Sequence, residues 1–343
     1  MGIRLLAREL NLSIGTVSRA LNDRPDVNEE TRARVKEAAL RAGYVPDQSG
    51  RSLRKGRTGI VAAIIPTAGL QSDGGLLRLL EGCRRGLRRQ ELDLIVLFRG
   101  PDEDPLDHLH RMVSRRIADA ILLNQTRAHD PRIAYLRAAR IEHVALGRSA
   151  GSGSTDWVDF DFESVAVAAA RLFALDGHRR LALAVSEFGM NFETILAEAF
   201  AAEAARAGLG RDAVQVLPTS GGRLDAASRA IFASGRTRPT AVLAAHEGIA
   251  AALYGDLSEL DLRIGRDVAL ISTSPIIDNR ALSPTLTHFS ADLDAAGMAL
   301  AERLLALLPE RGIERRPVPP ALVPMQLATH SSHHWQGATL AQV

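Results

Sequence analysis

The chain has 343 residues, of which 46% are hydrophobic and 24% charged, as in a soluble globular protein with room for two or three domains. No apolar run approaches the roughly 18 to 20 residues that a membrane span requires, and no apolar stretch follows Arg4 and Arg8, so neither a transmembrane helix nor a signal peptide is predicted. The one cysteine, Cys83, cannot form an internal disulfide. These features favour the cytoplasm, and the helical pattern around Cys83 favours a buried thiol.

The net charge of +2 hides an uneven distribution along the chain. Residues 1–57 carry 12 Lys/Arg and 7 Asp/Glu, a net charge of +5, whereas the remainder carries 30 and 33, a net charge of −3. A basic N-terminal segment on a mildly acidic body is typical of a segment that binds the phosphates of a nucleic acid. A basic face exposed only to solvent would give the same residue count, so it stays an alternative.

Two short helical patterns meet at a polar turn near the start of the chain. Asn11 can adopt the left-handed conformation that a sharp helix stop needs, and Ser13 stands where a helix N-cap belongs. Val17, Ala20 and Leu21 form an apolar stripe at helical spacing. The opposite face suits a DNA major groove, because it is small, polar and carries one arginine; it consists of Ile14, Gly15, Thr16, Ser18, Arg19 and Asn22. An ordinary amphipathic helix pair has the same spacing, so that alternative stays open here.

A third helix is predicted after Asn28, which can cap it, with Val27 as a hydrophobic staple before the cap and Gly43 at its end. Three helices in about 45 residues can form one small domain. Residues 46–57 follow as a short basic segment with little apolar content apart from Leu53. Such a segment is too short to persist as an isolated helix but can form one when docked on a partner; a plain interdomain linker is the alternative.

From Gly59 onward, apolar strands alternate with longer helical patterns, which predicts a doubly wound parallel α/β architecture covered on both faces. Strands are predicted at 60–66, 92–98, 119–124, 143–147, 181–185, 213–217, 240–245 and 267–272. Helices are predicted at 75–90, 105–117, 131–140, 163–176, 193–207, 224–234, 246–256 and 292–308. The glycine-rich loop 147–156 is interpreted as a linker between two lobes and not as a phosphate loop, because it opens no helix and lacks the terminal lysine.

The order of these parts resembles the LacI/galactose-repressor family of bacterial transcription regulators. The resemblance rests on SxxTVSRxLN in the second helix, VxxxTRxRV in the third, then GYxP, RSLR and a strand ending in proline, nearly without gaps over residues 4–66. It continues in DGHRRLALA (176–184), IGRDVALIS (264–272) and LSPTLT (282–287). The family implies a homodimer on a pseudo-palindromic operator, with a sugar-like effector between two periplasmic-binding-protein-like lobes. No cofactor and no enzymatic activity are implied.

The resemblance implies three parts: a helix-turn-helix head over residues 1–45, a hinge helix over 46–57, and a body over 58–343. In the body, lobe 1 is expected at about 58–150 plus 285–315, and lobe 2 at about 155–284 plus 316–330. No heptad-like tail follows residue 320, so a dimer is expected.

In the head, Ile14, Gly15 and Arg19 fall at base-reading positions, and Thr16, Ser18 and Asn22 at phosphate-contacting ones. Leu53 falls on the hinge leucine that wedges into the minor groove, with Arg51, Arg54 and Lys55 offsetting the cost through phosphate contacts. A linker leucine that touches the body is the alternative. Two residues depart from the family pattern: Gly15 has no side chain to read a base, and Gly50 replaces the usual alanine.

In the cleft between the lobes, this chain matches the residues of the family less well than in the head. A family arginine falls at Leu196, an Asn/Asp pair at His246 and Glu247, and an aspartate at Ser274. Polar residues at strand ends can compensate: Ser72, Asp73, Asn124, Arg148, Asp161, Asn191, Glu247 and Ser290. Arg148 can grip a bidentate acceptor, or form a salt bridge at the lobe junction. His246 can contact the ligand or lie on the surface, and Asp161 can be structural.

Two other functions are compatible with a two-lobed body. A solute-binding receptor is disfavoured by the basic head and the missing signal peptide. An enzyme is disfavoured because no catalytic triad, metal-ligand pair or phosphate loop is found. His330, His333 and His334 could bind a metal, but a flexible polar end is the preferred interpretation, because no carboxylate or cysteine accompanies them.

Overall fold

The computed structural model describes residues 2–21, 23–44, 57–67, 74–150, 156–235, 237–276, 278–308 and 318–334. The chain divides into two compact units, Met1–Thr58 (the head) and Gly59–Val343 (the body). Asn22, Arg51, Leu53, Arg54, Lys55, Ser72 and Asp73 lie outside the described residues, as does most of the predicted hinge, residues 46–56.

The described part of the head contains the three predicted helices: α1 (Ile3–Glu9), α2 (Ile14–Leu21) and α3 (Glu29–Arg41). Asn11 adopts the expected left-handed conformation, with φ of 55°. The Oδ1 atom of Asn28 accepts the Thr31 amide at 2.8 Å, as a helix cap should. A small core shared by all three helices includes Leu6, Val17 and Val35.

Lobe 1 of the body is a parallel sheet of six strands in the order β12-β5-β4-β3-β1-β2. Its strands are β1 (Ile60–Pro66), β2 (Asp93–Arg99), β3 (Ala120–Leu123), β4 (Glu142–Leu146), β5 (Trp157–Phe160) and β12 (Ala321–Val323). Helices α4 (Gly74–Leu87) and α11 (Leu293–Leu307) cover one face, and α5 (Pro105–Arg115) and α6 (Pro131–Ala138) the other. Cys83, on α4, is buried as predicted, and burial raises the pKa of its thiol to about 12.

Lobe 2 is a sheet of seven strands in the order β13-β11-β10-β9-β6-β7-β8. Its strands are β6 (Leu181–Val185), β7 (Val214–Ser220), β8 (Arg223–Leu224), β9 (Ala241–Ala244), β10 (Ala269–Ser272), β11 (Thr287–Ala291) and β13 (Met325–Ala328). The helices of this lobe are α7 (Phe162–Leu175), α8 (Asn191–Arg206), α9 (Ala226–Ala233) and α10 (Glu247–Ser258). One continuous apolar core runs through the lobe and includes Phe173, Phe200 and Phe232. The edge strands β8 and β13 are antiparallel to their neighbours.

The predicted lobe boundaries need correction. Strand β5 pairs with β4 in lobe 1, so the chain crosses to lobe 2 after Phe160 and not in the glycine-rich loop 147–156. Strand β11, expected in lobe 1, pairs with β10 in lobe 2, and β12, expected in lobe 2, pairs with β5 in lobe 1. The described chain therefore crosses between the lobes at three places: after β5, after β11 and after β12.

The histidine-bearing tail is ordered, contrary to the expectation of a flexible end. A short 3-10 helix, Ser331–His333, packs against β10 and β11. Ser332 is fully buried and donates from its hydroxyl to the Leu270 carbonyl at 2.6 Å, while His333 Nδ1 pairs with the Thr287 hydroxyl at 2.8 Å. Among the described residues, no group of three His, Cys, Asp or Glu side chains could hold a metal ion.

Candidate DNA-binding head and effector cleft

Helix α2 presents the surface expected of a recognition helix. Ser13 caps it, since its Oγ accepts the Thr16 amide at 3.0 Å and pairs with the Thr16 hydroxyl at 2.9 Å. Val17 and Ala20 are buried, whereas Ile14 is 47% exposed and Gly15 and Arg19 are exposed as well. Because Gly15 and Arg19 are four residues apart, they lie one above the other at the centre of the exposed face.

The arginine on this face is loosely held. Arg19 Nε lies 3.4 Å from the Asp26 carboxylate, and both side chains are more than half exposed. An exposed ion pair contributes little free energy, so Arg19 can leave Asp26 for a base edge or a phosphate. The described α2 residues named in the sequence analysis thus share one helix face; Thr16 and Ser18 are half-buried at its margins.

In the body, the cleft candidates form two groups, and the first surrounds Arg148 at the carboxyl end of β4. Its guanidinium donates from Nε to Asp159 at 2.7 Å and from both terminal nitrogens to Glu163 at 2.8 Å. Asp159 lies on β5 in lobe 1 and Glu163 on α7 in lobe 2, so Arg148 joins the lobes. The guanidinium also stands over the Trp157 ring, 5.6 Å from its centroid. These contacts favour the salt-bridge interpretation of Arg148 over a free effector grip.

The charges of this group are strongly coupled. Hydrogen bonds from Arg148 hold the pKa of the Glu163 carboxyl below its usual range. Asp159 is 2% exposed, and burial raises its pKa even though Arg148 opposes that shift. Asp159 and Glu163 were not predicted from the sequence. The signal for Asp159 was an acidic residue inside an otherwise apolar segment, WVDF, directly before a helix.

A second link between the lobes runs through Asn191, the first residue of α8. Its backbone amide donates to the Thr126 carbonyl at 2.9 Å, and its side-chain Nδ2 donates to the Arg148 carbonyl at 2.8 Å. The Thr126 hydroxyl donates to that same carbonyl at 2.9 Å. The side chain of Asn191 therefore lies beside the backbone of Arg148.

Asn124, at the end of β3, is the cleft candidate with an unused polar atom. It is 5% exposed, and its Oδ1 has no hydrogen-bond partner among the described residues. Arg132, held by Asp130 at 2.7 Å, fixes this loop by donating to the Asn124 and Gln125 carbonyls. A buried amide oxygen without a partner carries a desolvation cost that a bound donor would relieve.

The second group lies in lobe 2 at the ends of β9 and β10. His246 caps α10 through Nδ1, which accepts the Ile249 amide at 3.4 Å, and burial lowers the pKa of its imidazole to about 4. The Glu247 amide donates to the Ser274 hydroxyl at 3.0 Å, and that hydroxyl also bonds the Glu247 carboxylate. His246 is thus half-buried at a helix start rather than on the open surface.

Three other positions considered for the cleft lie at a helix cap, within a strand or in the core of lobe 2. Both carboxylate oxygens of Asp161 bond Ser164, to its amide at 3.0 Å and its hydroxyl at 2.7 Å, which favours the structural interpretation of Asp161 as the cap of α7. Ser290 lies within β11 opposite Gln326 and is not at a strand end. Leu196 is fully buried in the core of lobe 2.

A small helix-turn-helix head that precedes a two-lobed α/β body defines a DNA-binding regulator with a ligand-binding domain. Residues 3–47 match the model of bacterial regulatory proteins of the lacI family, and residues 170–332 match that of a periplasmic binding protein-like domain. The chain is 31% identical over 323 residues to the HTH-type transcriptional regulator AglR of Rhizobium meliloti (strain 1021), covering 91% of this chain and 89% of the relative. It belongs to the lacI family of bacterial transcription regulators, as the sequence motifs indicated.

Further comparisons agree with this assignment. The HTH-type transcriptional regulator RafR of Escherichia coli is 33% identical over 53% of this chain and 54% of its own length. The lac repressor dimer bound to operator and an anti-inducer shares the fold, with a TM-score of 0.79, 18% identity and coverage of 97% of this chain and 99% of that one. A CelR–cellobiose complex gives a TM-score of 0.70 at 21% identity, with the same coverage.

The assignment decides between the functions that the sequence left open. The protein is a transcription regulator with a DNA-binding head and an effector-binding type of body, and it is neither an enzyme nor a solute receptor without DNA regulation. In the described part of the chain, no helix is long and apolar enough to cross a membrane.

Proposed function

We propose that the protein is a cytoplasmic repressor that binds a pseudo-palindromic operator as a homodimer and changes its operator affinity when a carbohydrate-like effector binds between the lobes. The observation that carries the proposal is the exposed face of α2, with Ile14, Gly15 and Arg19 on the outside of a buried Val17–Ala20 stripe. A helix of this shape fits a major groove, and the small Gly15 permits close approach.

The head divides its contacts between bases and backbone. Ile14 meets thymine methyl groups and Arg19 reaches a guanine edge, while Ser13, Thr16, Ser18 and Asn22 contact phosphates. From the sequence alone, Leu53 wedges into the minor groove at the operator centre, and Arg51, Arg54 and Lys55 contact the flanking phosphates.

An apolar stripe on lobe 1 supports the homodimer. Val96 and Phe98, on the edge strand β2, are 37% and 57% exposed, and Leu77, on α4, is 74% exposed. Leu94 packs into the same core cluster as α4, so Val96 and Phe98, two and four residues further along β2, project from the α4 side of the sheet. We assign this stripe, Leu77, Val96 and Phe98, to a second copy of the chain. The lac repressor, whose fold the chain shares, is a dimer on its operator, which supports a dimer here.

The cleft is assigned to the effector through Asn124, whose buried Oδ1 needs a donor such as a sugar hydroxyl. Asn191, His246, Glu247, Ser274 and Ser290 complete the polar lining, with Ser72 and Asp73 from the sequence alone. Arg148 and Asp161 hold the lobe junction. A regulator with the same fold is known in complex with cellobiose, and another relative is named as a ribose operon repressor, which supports a carbohydrate class.

The DNA-binding part is tested by selecting binding sites from random double-stranded DNA with the full chain. A pseudo-palindromic consensus, bound with a steep salt dependence, is expected. Recovery of no preferred sequence would contradict the operator proposal.

The effector part is tested by thermal unfolding with a panel of neutral sugars, sugar acids and sugar phosphates. We expect one class to raise the melting temperature of the wild type and of a Gln90→Ala control, but not of Asn124→Leu. A ligand that stabilises Asn124→Leu equally would remove Asn124 from the site.

A further inference from the structure

Lobe 1 carries exposed arginines at one edge of its sheet. Helices α4, α5 and α6 each end shortly before a strand begins, so their C-termini lie at the amino ends of the parallel strands. Six exposed arginines lie in the last turns of these helices or within two residues after them, and none has a carboxylate at ion-pair distance among the described residues. Together we call them the basic edge: Arg88, Arg89, Arg115, Arg116, Arg137 and Arg140.

The basic edge surrounds the point where the chain passes from the head into the body. The Gly59 carbonyl accepts the Asp93 amide at 2.9 Å, and the Gly59 amide donates to the Asp119 carboxylate at 2.8 Å. Asp93 follows Arg89 by four residues, and Asp119 follows Arg116 by three. The arginines of α4 and α5 therefore lie beside the first residue of the body.

A short segment connects the last described residue of the head to the start of the body. From Tyr44, the last described residue of the head, to Arg57 the chain advances thirteen residues. Even fully extended, that stretch spans at most about 45 Å, roughly the length of a dozen base pairs. The start of the body, which the basic edge flanks, therefore cannot lie further than that from the end of the head.

Stabilisation of helix ends does not account for the arginines. Cations favour the C-terminus of any helix, so lobe 2 should show the same enrichment. Helices α7, α9 and α10 of lobe 2 have no basic residue in the last turn, and Arg206, at the end of α8, is paired with Glu203 at 2.9 Å. Arg223 is likewise paired, with Asp256 and Glu259. Exposed arginines without an ion pair also occur in the described part of lobe 2, at Arg179 and Arg263, but they follow their helix ends by four and five residues and are far in sequence from the start of the body.

The carboxylates near the basic edge leave it positive. Four acidic residues stand at the starts of the same strands, against six arginines: Glu91, Asp93, Asp119 and Glu142. One of the four, Asp119, is already engaged by the Gly59 amide. The arginines of the basic edge therefore have guanidinium donors available, and these donors suit the phosphate oxygens of a nucleic-acid backbone.

We propose that the basic edge of lobe 1 binds the DNA backbone beside the site occupied by the head, so that the body contributes directly to DNA affinity. This inference rests on DNA binding by the head but not on the operator, the dimer or the effector. The contacts are to phosphates, carry no sequence preference, and raise the salt dependence of binding.

The test compares two triple variants of the full chain with equal loss of charge. Arg89→Gln, Arg115→Gln and Arg137→Gln remove one arginine from each helix end of the basic edge. The control, Arg179→Gln, Arg263→Gln and Arg280→Gln, removes three exposed arginines from lobe 2. The probe is a labelled duplex of random sequence, about 40 base pairs long, titrated between about 50 and about 200 mM KCl.

For the basic-edge variant, we expect the slope of log affinity against log salt to fall by about 1 to 3, with binding about tenfold weaker near 100 mM, while the control matches the wild type. Equal slopes for all three proteins would overturn the proposal while leaving DNA binding by the head intact, and would point to an acidic protein as the partner of this edge. Equal losses in both variants would also overturn it, because the effect would then be one of net charge. A wild type that binds no DNA would overturn this proposal and the proposed function together.

Discussion

At the level of single residues, the exposed face of α2 offers few side chains that can reach a base edge. A Cβ atom built on Gly15 would meet only Ser13 Oγ, at an ordinary 3.6 Å, so the fold of the head does not require glycine there. The missing side chain leaves open space one turn below Arg19 on the exposed face. We therefore expect base discrimination by this surface to fall to Ile14 and Arg19.

The first prediction concerns Arg19. Arg19→Ala should weaken binding to the selected operator by about 1–3 kcal/mol, because a bidentate contact to a base edge is lost, while binding to random DNA stays nearly unchanged. Anisotropy titrations on both duplexes measure this difference. Arg34→Ala, an exposed arginine on α3, is the matched control. Uniform weakening on both duplexes would make Arg19 a phosphate contact.

Arg148 illustrates a residue whose place could be predicted but whose role needed its neighbours. Its position after β4 indicated the lobe junction, but only the structure shows that Asp159 and Glu163 already hold its guanidinium. The pairing depends on β5 lying beside β4, which brings together residues eleven positions apart. Sequence spacing does not encode that partner.

The second prediction follows from the burial of Asp159. Arg148→Gln should lower the free energy of unfolding by about 3–5 kcal/mol, because it leaves a buried carboxylate without its cation. Urea unfolding measures the loss, with Arg179→Gln expected to cost less than about 0.5 kcal/mol as the exposed control. The double variant Arg148→Gln/Asp159→Asn should regain most of the loss. An Arg148→Gln protein of unchanged stability would assign Arg148 to the effector instead.

Among the elements, those with a strong apolar period were predictable and those at the lobe crossings were not. The eight predicted strands and eight body helices all occur, with boundaries shifted by a few residues. The strands that were missed, WVDF, RL, THFSA, ALV and MQLA, are short or mixed in polarity, and three of them lead directly into a lobe crossing. Tertiary pairing, rather than local pattern, makes these segments strands.

The cleft was the least predictable site, because its residues are single positions at the ends of separate elements. Asn124 and Asn191 were predicted as cleft residues because polar residues follow or precede buried segments there, and that assignment stays a prediction. His246 was predicted from a family position, but its place as the cap of α10 depends on a hydrogen bond from the Ile249 amide to its own ring. The orientation of each side chain is set by neighbours that the spacing does not specify.

The third prediction concerns the start of α10. Only the neutral imidazole of His246 can accept the Ile249 amide, and burial lowers its pKa to about 4, below an unfolded value of about 6.5. The native state therefore binds fewer protons than the unfolded state between these values. This contribution to stability is fully present above about pH 6.5 and is lost as the pH falls toward 4.

At pH 5 the loss attributable to His246 should be about 2 kcal/mol. Urea unfolding at neutral pH and at pH 5 measures it. His246→Asn keeps a capping acceptor without a titrating ring, so it should lose about 2 kcal/mol less than the wild type on acidification. An identical loss in the two proteins would show that His246 does not set the acid sensitivity.

For the whole molecule, two edges of lobe 1 carry different kinds of exposed residue. The amino edge of the sheet carries arginines next to the start of the body, and the β2 edge carries the apolar stripe Leu77, Val96 and Phe98. We infer that lobe 1 relates the body to DNA and to a second copy, while the two lobes together take the effector.

The fourth prediction tests the apolar stripe. Phe98→Glu places a charge where an apolar contact with a second copy is proposed, so it should convert a dimer into a monomer at micromolar concentration, as measured by sedimentation equilibrium. Leu175→Glu, at a site 84% exposed on lobe 2, should leave the dimer intact. A monomer carries one head, and loss of the linked second head should weaken operator binding by about 100-fold or more. Burying the introduced carboxylate without a partner in an apolar interface would cost too much free energy for the dimer to persist. A Phe98→Glu protein that stays dimeric would therefore show that the two copies associate through another face.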